Sequence, residues 1–348
     1  MRRIALTRRR ALAAYGSWIA ASPLRAQKLA GEPPGRIPPV QELVNAAEFE
    51  AIAERKLDSL TFAEIAGSER GAFDRITLRP RLMIDSRQMD LSTELFGESL
   101  FTPLLIAPLS RQKRFHPEGE LAMARGAEAA KALMVVADHS SYPIDQIAAQ
   151  AKTALWYQAY LEPEISAVRT RVERAIGAGC KALCVTLGTE NPGSPLTAGV
   201  DWSAIDRLHQ GINVPLVLKG VMSPDEARKA VSIGVQGIVV SNHAARSTPG
   251  VASPIQMLPS IADAVGGKVP ILIDGSFRLG SDVLKALALG ARAVLLGRPA
   301  LWGLAAYGAE GVQSVVELIQ SSFARDMAMC GKVSVKTLDR TVVRIHGR

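Results

Sequence analysis

From residue 103 onward, short apolar runs alternate with longer amphipathic stretches at a spacing of roughly thirty residues, the length of a strand–helix unit. Runs at 103–107, 133–137, 155–160, 182–186, 214–218, 237–241, 270–273 and 293–296 read as strands. Helical spacing falls between them at 117–130, 143–151, 164–178, 202–210, 223–233, 254–265 and 280–290, with a last helix after Trp302. The helix starts agree, as where Ser223 caps Pro224-Asp225-Glu226. Eight such units imply a closed (β/α)8 TIM barrel of α/β class rather than an open doubly wound sheet. Upstream, 44–65 has the spacing of one or two short helices forming an N-terminal extension, and 76–85 and 89–95 read as extended. Residues 27–43, with Gly31-Glu32-Pro33-Pro34-Gly35 and Ile37-Pro38-Pro39, read as a linker into a domain spanning 44–348.

In such a barrel all strands end on one face, so polar groups just past several strands converge on one pocket. Four late strands end this way. Run 214–218 meets Lys219 and Gly220, and run 237–241 meets Asn242, His243 and Arg246. Run 270–273 meets Asp274, Gly275 and Arg278, and run 293–296 meets Gly297 and Arg298. A base, several cations, one carboxylate and glycine-opened backbone at one rim suit an anionic, phosphate-bearing ligand beside a proton-transfer group. Of the five histidines, His243 alone lies at a late strand exit with a charged neighbour, which makes it the best general base. Arg246 has the fork to clamp a carboxylate. Lys219 at the end of a buried strand needs a partner, because desolvating an ammonium is costly. Gln158 and Tyr160 end a strand where an amide and a phenol can meet a ring's heteroatoms.

Charge changes this picture little. The 348 residues carry a net +8, but Arg2, Arg3, Arg8, Arg9, Arg10 and Arg25 lie within 1–26, which holds no acid; without those six charges the net is +2. A nearly neutral body argues against nucleic acid as a partner. The same segment has a charged start, a short apolar run and a small residue at Ala26, which reads as a twin-arginine signal peptide and predicts an exported, periplasmic protein. Cys180, Cys184 and Cys330 show neither metal spacing nor a disulfide framework and read as small core residues.

Together these segments resemble the FMN-dependent α-hydroxy acid oxidase/dehydrogenase family, which includes glycolate and lactate oxidases. The likeness is carried by Ile106-Ala107-Pro108, His116-Pro117-Glu118-Gly119-Glu120, Leu218-Lys219-Gly220-Val221 and Ser241-Asn242-His243-Ala244-Ala245-Arg246, followed by Asp274-Gly275-Ser276-Phe277-Arg278 and Gly297-Arg298-Pro299. It implies an FMN barrel that oxidises a 2-hydroxy acid to the 2-keto product, with electrons passing to flavin N5. Oxygen, a quinone or a cytochrome would then accept the electrons, and the chain would form a homo-oligomer, a tetramer among the options. The resemblance assigns catalysis to His243, Arg246, Lys219 and Tyr160, and the flavin to Pro108, Ser110, Gln158, Lys219, Ser241, Asp274, Gly275, Ser276, Arg278, Gly297 and Arg298.

The departures from the family concern the substrate. Its N-terminal tyrosine falls at Ala63 or Glu64, and Thr186 stands where an aspartate would pair with the catalytic histidine. Ala137, followed by Asp138 and His139, stands where a serine is expected. A second carboxylate-binding arginine has no counterpart, and the loop after the fourth strand shrinks to about 189–200. Without the aspartate the histidine is a weaker base. Two other readings therefore stay open: a different FMN reaction of the isopentenyl diphosphate isomerase type, and a flavin-binding protein with little catalysis.

Overall fold

The computed structural model describes residues 36–67, 70–81, 83–150, 152–188, 201–245 and 248–347. The chain divides into Met1–Pro39 and Val40–Arg348. Of the first unit, residues 36–39 are described and form no regular element, and the expected export segment lies outside the described residues.

The second unit opens with helices α1 (Ala46–Lys56), α2 (Ser59–Ile65) and α3 (Gly71–Asp74). Asn45 and Asp58 cap the first two by accepting backbone N–H groups of the first turn. Strand β1 (Ile76–Leu78) pairs antiparallel with the last strand of the chain, Val343–Ile345. Strands β2 (Thr93–Leu95) and β3 (Glu98–Leu100) form a hairpin. Its turn, Phe96-Gly97, has φ of 53° and 82°, the double positive-φ geometry whose twist matches antiparallel strands. The segments expected to be extended at 76–85 and 89–95 are thus much shorter strands. Leu95 and Leu100 join the inner core, and Phe96 packs on Trp156 at 5.5 Å between ring centroids, so the hairpin packs against the barrel interior.

The barrel comprises β4 (Leu104–Ile106), β5 (Leu133–Ala137), β6 (Leu155–Tyr160), β7 (Leu183–Thr186), β8 (Leu216–Val221), β9 (Gly237–Val240), β10 (Ile271–Ile273) and β11 (Ala293–Leu296). All pairs are parallel and β9 bonds β10, which closes the ring. Between them run α4 (Gly119–Ala129), α5 (Ile144–Ala148), α6 (Ile165–Gly177), α7 (Trp202–His209), α8 (Pro224–Ser232), α9 (Pro254–Val265) and α10 (Gly280–Ala288), and α11 (Arg298–Met329) follows. Two bounds differ instructively from the sequence expectation. β8 extends through Lys219 to Val221, because Gly220 at φ 106° takes up a register shift that keeps the strand paired. The last helix begins at Arg298 rather than after Trp302, and it breaks at Tyr307–Gly308, where Gly308 has φ 60°.

The core has two layers, as period-two strands require. One side chain set faces the helices; the other fills the barrel with Leu105, Val135, Trp156, Cys184, Val217, Val239, Leu272 and Leu295. Cys180, Cys184 and Cys330 are buried free thiols, and burial pushes the first two up to about 12. Among the described residues no helix is long and apolar enough to cross a membrane.

Candidate active site

Two residues beyond the barrel-filling set, the same faces carry Ala107, Ala137, Gln158, Thr186, Lys219, Ser241, Asp274 and Gly297. The interior therefore changes from apolar to polar within one residue pair. Ala107, Lys219, Asp274 and Gly297 line a cavity of about 1060 Å³. That is the upper end of ordinary ligand sites, roughly 300–1,000 Å³.

At its centre the Lys219 ammonium, 3% exposed, lies 3.0 Å from Asp274 Oδ2 and donates to Ser241 Oγ at 2.9 Å. The pair solves the desolvation problem that a buried lysine poses. Ser241 Oγ also accepts the His243 backbone N–H at 3.3 Å, which ties the start of the histidine turn to the lysine. The His243 ring lies with Nε2 3.2 Å from the Tyr160 hydroxyl, so an imidazole and a phenol share one proton position in the cavity wall. Gly188, at φ 110°, lets the chain after β7 come close to this turn: a Cβ there would stand 2.6 Å from that of Ala244.

The opposite end is built for an anion. Gly275 and Ser276 have consecutive positive φ, 103° and 61°, a turn of the kind that aims backbone N–H groups into anion-binding concavities. Asp282 Oδ2 accepts the N–H groups of Arg278 and Leu279, both at 2.9 Å, while its carboxylate pairs with Arg70 at 2.6 Å. Arg278 lies over Trp302 at 4.4 Å, and Trp302 Nε1 donates to Ile65 O at 2.8 Å. Burial, followed by the Arg298 charge, pushes the Arg278 guanidinium down to about 9, and its Nη2 is buried without a hydrogen-bond partner. Both effects penalise the cation, and an anion against the cluster offsets them. Arg298 itself opens α11, so a helix N-terminus adds to the same field.

Of the residues picked out in the sequence, Pro108, Ser110, Tyr160, Lys219, His243, Asp274, Gly275, Ser276, Arg278, Gly297 and Arg298 meet in this one cavity. Gln158 and Ser241 are buried and lie outside its wall. Gln158 Nε2 is nevertheless unbonded, as is Thr186 Oγ1, and β-pairing places Thr186 beside both Tyr160 and Lys219. Arg246 and the shortened loop at 189–200 lie outside the described residues. Sequence reasoning missed Arg111 and Arg114 as wall residues, although both follow a strand exit, and named Asn242 only as a polar group past its strand; it reached Glu64 only through the missing tyrosine. Glu64 ion-pairs with Arg114 across the wall.

The sequence matches the family described as FMN-dependent dehydrogenase over residues 43–194 and 188–345. The chain belongs to this family. It is 34% identical to a peroxisomal (S)-2-hydroxy-acid oxidase of Oryza sativa subsp. japonica, covering 87% of this chain and 96% of the relative. Identity to an L-lactate oxidase of Nostoc is also 34%, covering 87% and 98%. Among solved structures, mandelate oxidase with (S)-2-phenylpropionate superimposes with a TM-score of 0.82 at 33% identity, covering 88% of this chain and all of the other. A flavocytochrome b2 variant gives 0.84 at 27% identity, covering 94% and 92%. The cofactor of an FMN-dependent dehydrogenase fits the observed groups: the buried, unbonded Arg278 Nη2 suits its phosphate, and the unbonded Gln158 Nε2 and the nearby Lys219 ammonium suit its ring.

Proposed function

We infer that this FMN-dependent dehydrogenase oxidises a 2-hydroxy acid to the 2-keto acid. The observation that carries the reading is the Tyr160–His243 pair in the same cavity as the Lys219–Asp274 pair and the Arg278–Arg298 cluster. FMN, when bound, accepts the electron pair that leaves the substrate. The chain supplies the rest. His243 Nε2 takes a substrate proton, and Tyr160 orients the ring that does so. Lys219 holds positive charge in the cavity wall, where electron density accumulates during oxidation. Arg278 and Arg298, with the Gly275–Ser276 turn and Gly297, hold the phosphate; Asp274, Pro108, Ser110, Gln158 and Ser241 hold the remainder of the cofactor directly or through Lys219. Arg246, three residues past His243, clamps the substrate carboxylate.

The test is the visible spectrum of the purified protein before and after anaerobic addition of 2-hydroxy acids. Flavin bands that bleach with at least one acid support the reading. A loaded flavin that no 2-hydroxy acid bleaches overturns it.

The reading extends to the cell. Residues 1–26 route the folded, FMN-loaded chain through twin-arginine export to the periplasm, where oxygen, a quinone or a cytochrome takes the electrons. The mature chain assembles as a homo-oligomer. Cell fractionation and sedimentation velocity test these two points; a cytoplasmic or monomeric mature chain contradicts them.

A further inference from the structure

The ribbon formed by β1 and the last strand carries a row of arginines without partners. Thr77 stands opposite Arg344, and the ladder runs on past both ends: His346 N–H donates to Arg75 O and Arg79 N–H to Val342 O, each at 2.8 Å. Period two puts Arg75, Thr77 and Arg79 on one face, with Arg344 across from Thr77, and all four are exposed. Arg81 follows, its N–H donating to Met329 O at 2.9 Å. Among the described residues, Arg75, Arg79, Arg81 and Arg344 make no side-chain hydrogen bond or ion pair. The cations that flank them are matched. Arg87 pairs with Asp85, Lys332 with Asp339, Lys336 with Asp90 and Arg340 with Asp263, which occupies those acids. Asp74 stands beside Arg75, so the face stays positive.

Apolar side chains stand among these cations. Met83 is fully exposed, and Ile84 and Met329 are 49% and 54% exposed. They belong to one patch with Arg81: a Cβ on Gly331 would meet Ile84 at 2.8 Å and Arg81 at 3.0 Å, and Arg81 is bonded to Met329. Ile345, across from Ile76, is 54% exposed at the other end of the ribbon. Single exposed apolar residues are ordinary, but a cluster of them rimmed by polar groups marks an interaction surface. Nucleic acid or an acidic protein face satisfies the guanidinium groups and leaves the aliphatic ones in water. An anionic lipid surface takes both, with cations at the headgroups and aliphatic side chains at the acyl boundary.

We propose that this face docks on an anionic lipid surface, with Arg79, Arg81 and Arg344 at the headgroups and Met83, Ile84 and Met329 at the acyl boundary. Arg75 also lines the cavity, so the docked face borders it.

The test sediments the FMN-loaded full chain with vesicles of phosphatidylglycerol and phosphatidylcholine in equal parts, and with phosphatidylcholine alone. Residues 1–26 carry six arginines of their own and stay in every sample. The parent binds the mixed vesicles and leaves the neutral ones. Replacing three arginines together, Arg79→Gln, Arg81→Gln and Arg344→Gln, weakens that binding about 10²-fold, from roughly fivefold per cation at an anionic surface. Arg75 is kept because it lines the cavity. Met83→Asn, which suits the φ of 64° at this position, weakens binding roughly fivefold while the charge is unchanged. An unaltered flavin spectrum shows that each variant is folded. A parent that ignores the mixed vesicles overturns the proposal. Binding that survives the triple variant belongs to residues 1–26 and overturns it as well. Binding that falls with the arginines but ignores Met83→Asn assigns the face to a soluble polyanion or an acidic protein. Self-association in sedimentation velocity that both variants abolish assigns it to a second copy of the chain, and either result removes the lipid.

Discussion

The two ends of the cavity are built on different principles. Around the proposed phosphate site, Arg278, Asp282, Gly297 and Arg298 come from two adjacent units, after β10 and β11, with Arg70 pairing Asp282 from outside them. Around the proposed substrate site, Glu64 comes from α2, Arg111 from the loop after β4, Tyr160 from β6 and His243 from the turn after β9, and Thr186 of β7 pairs beside Tyr160. A phosphate is the same in every relative, so a local cradle suffices. A substrate is recognised by its differences, and groups drawn from five segments can change one at a time. Of the departures from the family pattern, Glu64 lies in the cavity wall and Thr186 pairs beside Tyr160.

Three variants break or sharpen that contrast. The largest effect belongs to His243→Asn. It removes the proton acceptor and leaves the cradle, so anaerobic flavin reduction slows by about 10²- to 10⁴-fold with flavin still bound. Full residual reduction measured by stopped flow would remove His243 from the chemistry. Arg278→Gln attacks the other end. FMN affinity falls roughly 10- to 100-fold, the cost of one charge-assisted interaction, as measured by fluorescence titration of apoprotein. Unchanged affinity would place the phosphate elsewhere. The smallest change comes from Thr186→Asp, which returns a carboxylate beside Tyr160 and Lys219. A negative charge there favours the protonated imidazole, so a proton is lost only at higher pH. The acidic limb of the kcat/KM profile therefore moves upward, by about one pH unit for about 1.4 kcal/mol of added interaction. A profile that does not move means that the carboxylate and His243 do not interact.

The Lys219–Asp274 pair shows how far the strand-exit rule reaches. Both residues lie two positions past a barrel-filling residue, Val217 and Leu272, so period two alone directs both side chains inward. What the rule could not supply is that they meet each other at 3.0 Å, since this depends on how β8, β9 and β10 stagger around the ring. Gln158 and Tyr160 show the same limit. They share one face of a strand, two positions apart, yet Tyr160 reaches the cavity wall and Gln158 stays outside it. Arg111 was open to the same rule at the first strand exit, where Arg111, Lys113 and Arg114 crowd one turn. Glu64, in a helix forty residues before the barrel begins, carried no such signal.

By itself the sequence determined the barrel and the strand-exit residues that share one cavity, among them the turn and arginines proposed to hold the phosphate. These depend on residue periodicity and on short loops, which act over a few positions along the chain. Only the tertiary structure decided which groups face one another. It paired Tyr160 with His243, Lys219 with Asp274 and Arg114 with Glu64, and it placed Arg111 on the mouth of the same cavity. The physical reason is barrel closure: strands far apart in sequence become neighbours only when the ring closes, and strand tilt then sets which side chains come within a hydrogen bond of each other.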